Sequence, residues 1–146
     1  MARKIPASGS DPFRQAPVQT FAKPDDRERL TPAALQAIRS LAVTWQLTGD
    51  EAAALLGVSA STWDRLRAKG YRASFSQDQF MRISALTGVY KGLHLLFADD
   101  MADRWPRLRN SGPLFRNLTP IEAMEEGGIP RMLEVRRHVD ALRGGL

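Results

Sequence analysis

The chain has 146 residues, no cysteine and a formal net charge of +5. The lack of cysteine excludes disulfide scaffolds and thiolate chemistry and fits a reducing cytoplasm, where we expect the protein to act. No apolar run is long enough to predict a signal peptide or a membrane-spanning helix. The positive charge is spread along the chain, so it permits nucleic-acid binding without demonstrating it.

Residues 1–27 are predicted to form a flexible arm, because four prolines interrupt every periodic pattern there: Pro6, Pro12, Pro17 and Pro24. From Thr31 onward only helical spacing occurs, which predicts an all-α, multi-helix fold without strands. We divide this part into a helix-turn-helix region over residues 28–75 and a C-terminal helical region over residues 76–146.

Capping residues predict where the first helices begin and end. Thr31 followed by Pro32 predicts the start of the first helix, and Thr48 with Glu51 predicts a capping box at the second. Gly57 is suited to a left-handed stop after the second helix.

Ser59 is predicted to cap a third helix that ends at Lys69-Gly70, and Ser76 with Gln79 a capping box at the fourth. Thr87-Gly88 is predicted to separate the fourth helix from another over residues 89–97.

The run that ends this next helix contains more apolar residues than one side of a helix can hold: Leu93, Leu95, Leu96 and Phe97. They are interpreted either as deep core or as a subunit contact.

The last third predicts three more helices. A short one carries Met101 and Trp105, a second begins at Thr119-Pro120 and ends at Gly127-Gly128, and the last begins at Pro130. One face of the last helix is predicted to be buried through Met132, Val135, Val139 and Leu142.

Residues 49–68 (GDEAAALLGVSASTWDRLRA) fit a helix-turn-helix. Two short helices that cross steeply need a small residue at their contact, where Ala53 stands, and a turn residue that tolerates positive φ, where Gly57 stands. The positions that dock such a motif on its domain are apolar: Ala52, Leu56, Val58, Trp63 and Leu66. The pattern resembles the helix-turn-helix of phage-repressor-like regulators and predicts DNA binding, the alternative being an ordinary helical hairpin.

In a DNA complex the second helix of the motif would enter the major groove with its N-terminal half toward the base edges. The candidate base-reading residues are Ser59, Ser61, Thr62 and Arg65, of which Arg65 can form two hydrogen bonds with a guanine. Three further cations are expected to reach phosphates: Arg67, Lys69 and Arg72. Because so few phosphate contacts bind weakly at physiological salt, we expect a homodimer on a palindromic operator.

The C-terminal region carries a second set of motifs: Asn110, Phe115, Thr119-Pro120-Ile121-Glu122, Gly127-Gly128 and the sequence DALRGG at residues 140–145. Their order and spacing resemble the Xre/MbcA/ParS toxin-binding domain, the antitoxin half of toxin–antitoxin pairs whose toxin carries a RES domain. The resemblance covers the chain from about Leu30 onward, because that family places a helix-turn-helix upstream of this module.

The resemblance implies an antitoxin that binds and neutralises a NAD-consuming RES toxin, either an ADP-ribosyltransferase or a NAD-degrading enzyme, and represses its own operon. We expect a homodimer or a higher hetero-oligomer with the toxin. Many members have glycine where this chain has Asn117. Asparagine is the non-glycine residue best suited to a left-handed backbone, so we expect the turn to be preserved.

On the last helix Arg136, Asp140 and Arg143 are predicted to share a face, with Arg137 and Glu134 on another strip. By themselves these residues predict a solvated face with weak ion pairs.

With the resemblance, the candidate toxin-binding residues are Arg136, Arg137, Asp140, Arg143, Gly144, Gly145 and Leu146. The slim Gly-Gly-Leu end is expected to enter a dinucleotide cleft, where the terminal carboxylate mimics a phosphate and Arg143 pairs with a catalytic carboxylate.

Catalytic chemistry is not predicted. His94 lies in an apolar run, where a hydrogen-bonded packing role is expected, and neither His94 nor His138 has a partner at metal-ligand spacing. Asp99, Asp100 and Asp103 cluster near a helix start, where negative charge is favourable without a metal.

We therefore predict a protein that is not an enzyme and that requires no cofactor or metal. Two other interpretations stay open. One is a stand-alone helix-turn-helix transcriptional regulator whose C-terminal helices only dimerise or sense a ligand, and the other is an adaptor whose helix-turn-helix no longer binds DNA.

Overall fold

The structure is a computed structural model that describes residues 19–144, and the predicted all-α fold class is confirmed over that range. No strand occurs among these residues. The helices are α1 (Pro24–Thr44), α2 (Gly49–Leu56), α3 (Ala60–Leu66), α4 (Gln77–Leu96), α5 (Asp99–Arg104) and α6 (Pro120–Gly144), with a 3₁₀ turn at Trp105–Arg107. A break at Gly128 (φ 62°, ψ −151°) divides α6 into two halves.

The first helix begins earlier than predicted, at Pro24 rather than at Thr31-Pro32. Proline at the first helical position and two following aspartates favour this start, because proline needs no N–H partner there and the carboxylates face the positive end of the helix dipole. Thr31 lies within α1, where its hydroxyl donates to the carbonyl of Arg27 at 2.6 Å instead of capping. The end of the predicted arm is therefore helical, and residues 1–18 of that arm lie outside the described residues.

α1 and α4 lie side by side and run in the same direction. Phe21, just before α1, stacks on Phe80 in the first turn of α4, with ring centroids 5.0 Å apart. Near the other end of α1, Thr44 lines a groove together with Lys91 of α4. The two helices are therefore neighbours along most of their length.

α4 is one continuous helix, so the break predicted at Thr87-Gly88 is wrong. Gly88 does not end a helix but allows close contact between α4 and α6, since a Cβ on Gly88 would lie 2.5 Å from Nε of Arg136. One turn later a Cβ on Gly92 would lie 2.8 Å from Val139. The second half of α6 thus packs along α4 in the same direction, and α1, α4 and this half-helix form one layer of parallel helices.

A single hydrophobic cluster contains residues from all parts of this architecture. Its largest fully buried side chains include Trp45, Phe115, Ile38, Leu55, Leu56, Leu86, Leu93, Ile121, Met124 and Met132. Leu142, predicted to be buried on α6, is 41% exposed because it lies in the last turn of the helix. No helix within residues 19–144 is long and apolar enough to cross a lipid bilayer.

Candidate functional site

The helix-turn-helix geometry predicted from the sequence is present in α2 and α3. Thr48 and Glu51 form the predicted capping box at the start of α2, and Gly57 ends the helix in a left-handed conformation at φ 74°. Ser59 caps α3 by accepting from the backbone N–H of Thr62 at 3.1 Å. The apolar side of the motif docks on the domain as predicted, with Ala52, Ala53, Leu56, Trp63 and Leu66 buried.

The polar residues at the start of α3 form one hydrogen-bonded cluster on the surface. The hydroxyl of Ser59 donates to that of Thr62 at 2.9 Å and lies 3.2 Å from the hydroxyl of Ser61. Arg65 donates to the Thr62 hydroxyl at 3.2 Å. The structure therefore brings together the four candidate base-reading residues, and all of these hydrogen bonds are exposed and exchangeable for bonds to a ligand.

The candidate phosphate-contacting residues lie mostly beyond α3. The helix ends at Leu66 rather than at the predicted Lys69-Gly70, because the chain turns earlier and Gly70 takes a left-handed conformation at φ 83°. Arg67, Lys69 and Arg72 are exposed on this turn and the segment that follows it. Arg67 lies 3.4 Å from Asp64, so one of the three cations has a carboxylate neighbour.

Arg39 of α1 holds the C-terminal end of α3, a role that the sequence analysis did not find. Its Nε donates to the carbonyl of Leu66 at 2.8 Å, and its Nη2 donates to the carbonyl of Ala68 at 2.8 Å. The last carbonyls of a helix lack intrahelical partners, so a guanidinium fixes the end of α3 against α1. No local signal marks this arginine, because the contact joins residues far apart in sequence.

Arg107, in the 3₁₀ turn, holds the connection between α1 and α2. It donates to the carbonyls of Trp45 at 2.7 Å and Gln46 at 2.6 Å, and to the carboxylate of Glu51 at 2.7 Å. The hydrogen bond from Arg107 holds the pKa of the Glu51 carboxyl below its usual value, against the opposing effect of burial. The capping carboxylate of α2 is therefore ionised and tied to the C-terminal region.

The loop before α6 keeps its left-handed turn with asparagine in place of glycine. Asn117 has φ 67°, and its N–H donates to the carbonyl of Asn110 at 2.8 Å. Thr119 and Glu122 then form a reciprocal capping box at the start of α6, as expected for the Thr119-Pro120 start. The expected turn is thus confirmed.

Three of the candidate toxin-binding residues lie together where α6 meets α4. Arg136 covers Gly88, Asp140 lies beside Gly92, and Arg143 is 3.5 Å from Asp140. Arg137 is exposed on a different strip of α6. Gly144 ends the helix, while Gly145 and Leu146 lie outside the described residues.

Both histidines have packing partners. His94 lies between the carboxylates of Asp99 (Nδ1, 2.9 Å) and Asp103 (Nε2, 2.7 Å). Burial opposes protonation of His94, but these two hydrogen bonds outweigh it and raise its pKa. His138 is part of an aromatic cluster with Trp105 and Phe115. Within residues 19–144 no group of three or more metal-ligating side chains could hold an ion.

Comparison with known proteins identifies the first half of the architecture. Residues 24–88 match the model of the antitoxin Xre-like helix-turn-helix domain. The chain is 30% identical over 131 residues to an uncharacterized protein, y4oB, of Sinorhizobium fredii (strain NBRC 101917 / NGR234), and the alignment covers 88% of this chain and 98% of y4oB. The chain belongs to one family with y4oB. No solved structure matches it.

The antitoxin Xre-like domain contains α1, α2, α3 and the first part of α4. Residues 24–88 thus form an Xre-like helix-turn-helix domain of the antitoxin kind, which supports an Xre-type antitoxin and DNA-binding regulator with DNA and a toxin as partners in general. Domains of this kind bind DNA and are typically not catalytic.

Proposed function

We propose that the protein neutralises a RES-domain, NAD-consuming toxin by direct binding and represses its own operon through the helix-turn-helix. The observation that carries this proposal is the antitoxin Xre-like domain at residues 24–88, joined to the C-terminal module whose motifs resemble a RES-toxin-binding domain. The toxin's reaction is either ADP-ribosyl transfer or NAD degradation.

On DNA, α3 enters the major groove and Arg65 forms two hydrogen bonds with a guanine, for which it leaves the Thr62 hydroxyl. Ser59, Ser61 and Thr62 offer hydroxyls to neighbouring base edges or phosphates. Arg67, Lys69 and Arg72 contact the phosphate backbone, which adds affinity without sequence information. A dimer on a palindrome doubles these few contacts, with half-sites about one helical turn apart.

In the toxin complex, the C-terminal residues occlude the NAD cleft. Gly144 and Gly145 have little side-chain bulk, so residues 144–146 fit a narrow dinucleotide site. Arg143 pairs with a catalytic carboxylate of the toxin. Its partner in the free protein, Asp140, is 3.5 Å away and both side chains are about half exposed, so the exchange costs little free energy. Arg136, Arg137 and Asp140 complete the contact from the flanks of α6.

Deleting residues 144–146 tests this mechanism. We expect the truncated protein to lose inhibition of the toxin's NAD consumption while keeping full operator affinity, because α3 lies elsewhere. Arg65→Ala is the matched control and should show the opposite pattern, with inhibition retained and operator binding weakened. Full inhibition by the truncated protein would show that the tail does not occlude the toxin's cleft.

A further inference from the structure

α1, α4 and the second half of α6 expose one continuous surface, here called the α1–α4–α6 face. Its centre is a groove of about 190 Å³ between α1 and α4. The groove is lined mainly by apolar atoms of seven residues: Ala37, Ser40, Leu41, Thr44, Thr87, Tyr90 and Lys91. On the far side of α4, Gly88 and Gly92 lie against α6.

Two large aliphatic side chains are strongly exposed near the ends of α1 and α4. Val43 is 79% exposed and Leu95 is 66% exposed, the highest values among the large hydrophobic residues of the described chain. Leu95 lies one helical turn beyond the groove residue Lys91, on the strip of α4 between the groove and α6, so it extends the apolar surface of the face. Val43 lies one turn after Arg39 and therefore outside the groove. The interpretation of Leu95 as deep core is wrong.

Cations border this apolar centre. Lys91 is exposed on α4, and Arg136 lies across Gly88, about one turn away. The carboxylate of Asp140 lies beside Arg143 at 3.5 Å. Neither Lys91 nor Arg136 lies within 4.0 Å of a carboxylate oxygen of another described residue. The face thus presents excess positive charge around an apolar patch.

We propose that the α1–α4–α6 face docks an acidic protein surface with an apolar centre. Resting on the function proposed above, this partner is the RES-domain toxin. Opposite charge on the partner complements Lys91 and Arg136, whereas a second copy would present the same excess of cations. The occupant is therefore a different protein.

The position of the face agrees with simultaneous DNA binding. Ala37 lines the groove, whereas Arg39, two residues later, leaves the opposite side of α1 to reach α3. Successive helical residues are rotated by about 100°, so these two side chains point in nearly opposite directions. The end of α6, with Arg143 and Gly144, lies near the same end of α4 as Leu95. A toxin docked on this face would sit next to the C-terminal residues and leave α3 free.

Calorimetric titration of the 146-residue chain with its cognate RES-domain toxin tests the inference. Leu95→Glu introduces a charge into the apolar surface beside the groove, and the charge-reversal variant Lys91→Glu changes a cation that the proposed tail mechanism does not use. We expect each variant to weaken binding by at least about tenfold, as for residues at the centre of an interface. Leu108→Glu is the matched control, an exposed leucine outside the face, and should change the affinity less than twofold. All variants should retain helical circular dichroism and operator affinity, because the substituted side chains are exposed.

The possible outcomes separate this inference from the proposed function. If the wild-type chain forms no complex with the toxin, both are wrong. If it forms a complex that Leu95→Glu and the charge-reversal variant leave unchanged, the inference alone is overturned. Loss of a homodimer with toxin affinity retained would assign the face to a second copy, and loss of operator affinity alone would assign it to DNA. Either result also overturns the inference.

Discussion

Three arginines far apart in sequence bind the C-terminal ends of the first three helices. Arg39, Arg82 and Arg107 each donate to backbone carbonyls in or just after the last turn of α3, α2 and α1, respectively. Such carbonyls have no intrahelical partner, and the planar guanidinium can bind two of them at once. These arginines therefore have structural contacts, whereas Arg65 on α3 keeps only a weak, exposed hydrogen bond that DNA can replace.

Arg65→Ala is expected to weaken operator binding by about 1–3 kcal/mol and to relax the preference at one base position. The reason is the loss of a side chain that donates two hydrogen bonds to a base edge. Gel-shift titrations with operator variants measure both effects. Lys69→Ala is the control and should weaken binding to all sequences evenly, with a shallower salt dependence. An unchanged base preference in Arg65→Ala would remove this residue from the base-reading set.

His94 gives the fold a pH-dependent contact between α4 and α5. His94 can donate from both ring nitrogens at once only as the imidazolium. The hydrogen bonds to Asp99 and Asp103 therefore favour protonation and, against the opposing effect of burial, raise the pKa of His94 in the folded protein. A raised folded pKa contributes stability at pH values below the unfolded pKa, and this contribution is lost as the pH rises through the folded pKa.

Denaturant titrations of the wild type and of His94→Gln at several pH values measure this contribution. The wild type should be more stable than the variant near pH 5.5, with the difference shrinking toward pH 8.5. A difference that stays constant with pH, or that grows as the pH rises, would show that the imidazolium is not what holds the two aspartates.

The contact between α1 and α3 positions the second helix of the helix-turn-helix. Arg39→Met removes the donors to the carbonyls of Leu66 and Ala68 and should destabilise the fold by about 1–3 kcal/mol. We also expect a reduced ratio of operator to non-specific DNA affinity, measured well below the unfolding temperature. A loss of fold stability alone would leave that ratio unchanged.

Two further variants separate positioning from charge at this contact. Arg39→Lys keeps the charge and part of the hydrogen bonding and should restore part of the ratio. Arg29→Met removes an arginine from the same helix whose contact is an exposed pair with Asp26, and it should have little effect. Equal ratios in Arg39→Met and in the wild type would show that α3 is held by packing alone.

The ends of most elements could be predicted from the sequence, because capping is a local interaction. The capping boxes at Thr48 and Ser76, the left-handed stop at Gly57 and the start at Thr119 all depend on residues within four positions of each other. The start of α1 was missed although its signal, Pro24 followed by two aspartates, is local. The break at Thr87-Gly88 was wrong because a tertiary contact decides the role of Gly88. Gly88 makes room for Arg136 instead of ending a helix, which only the packing of α6 reveals.

The candidate site was predictable to a similar extent. The helix-turn-helix and its exposed α3 residues follow from a short local pattern, so the geometry around Arg65 could be expected. The roles of Arg39 and Arg107 could not, because they depend on contacts across 27 and 62 residues of sequence. The exposure of Leu95 could not be predicted either. Helical spacing places Leu95 on the α6 side of α4, but it does not show that the contact between α4 and α6 ends near this residue.

At the scale of the whole molecule, the helical layer separates two surfaces. α3 lies on one side of α1, and the groove between α1 and α4 lies on another. Arg107 links the 3₁₀ turn before α6 to the start of α2, so the two predicted regions share contacts as well as a core. This arrangement agrees with an antitoxin that holds a toxin and an operator at the same time.

Co-expression with a cognate RES-domain toxin, followed by purification and native mass measurement, tests the proposed function. The proposed function predicts a stable complex that contains both chains and in which the toxin no longer consumes NAD. Recovery of the chain without the toxin, together with an active toxin and intact operator binding, would contradict it. That result would instead support a stand-alone transcriptional regulator.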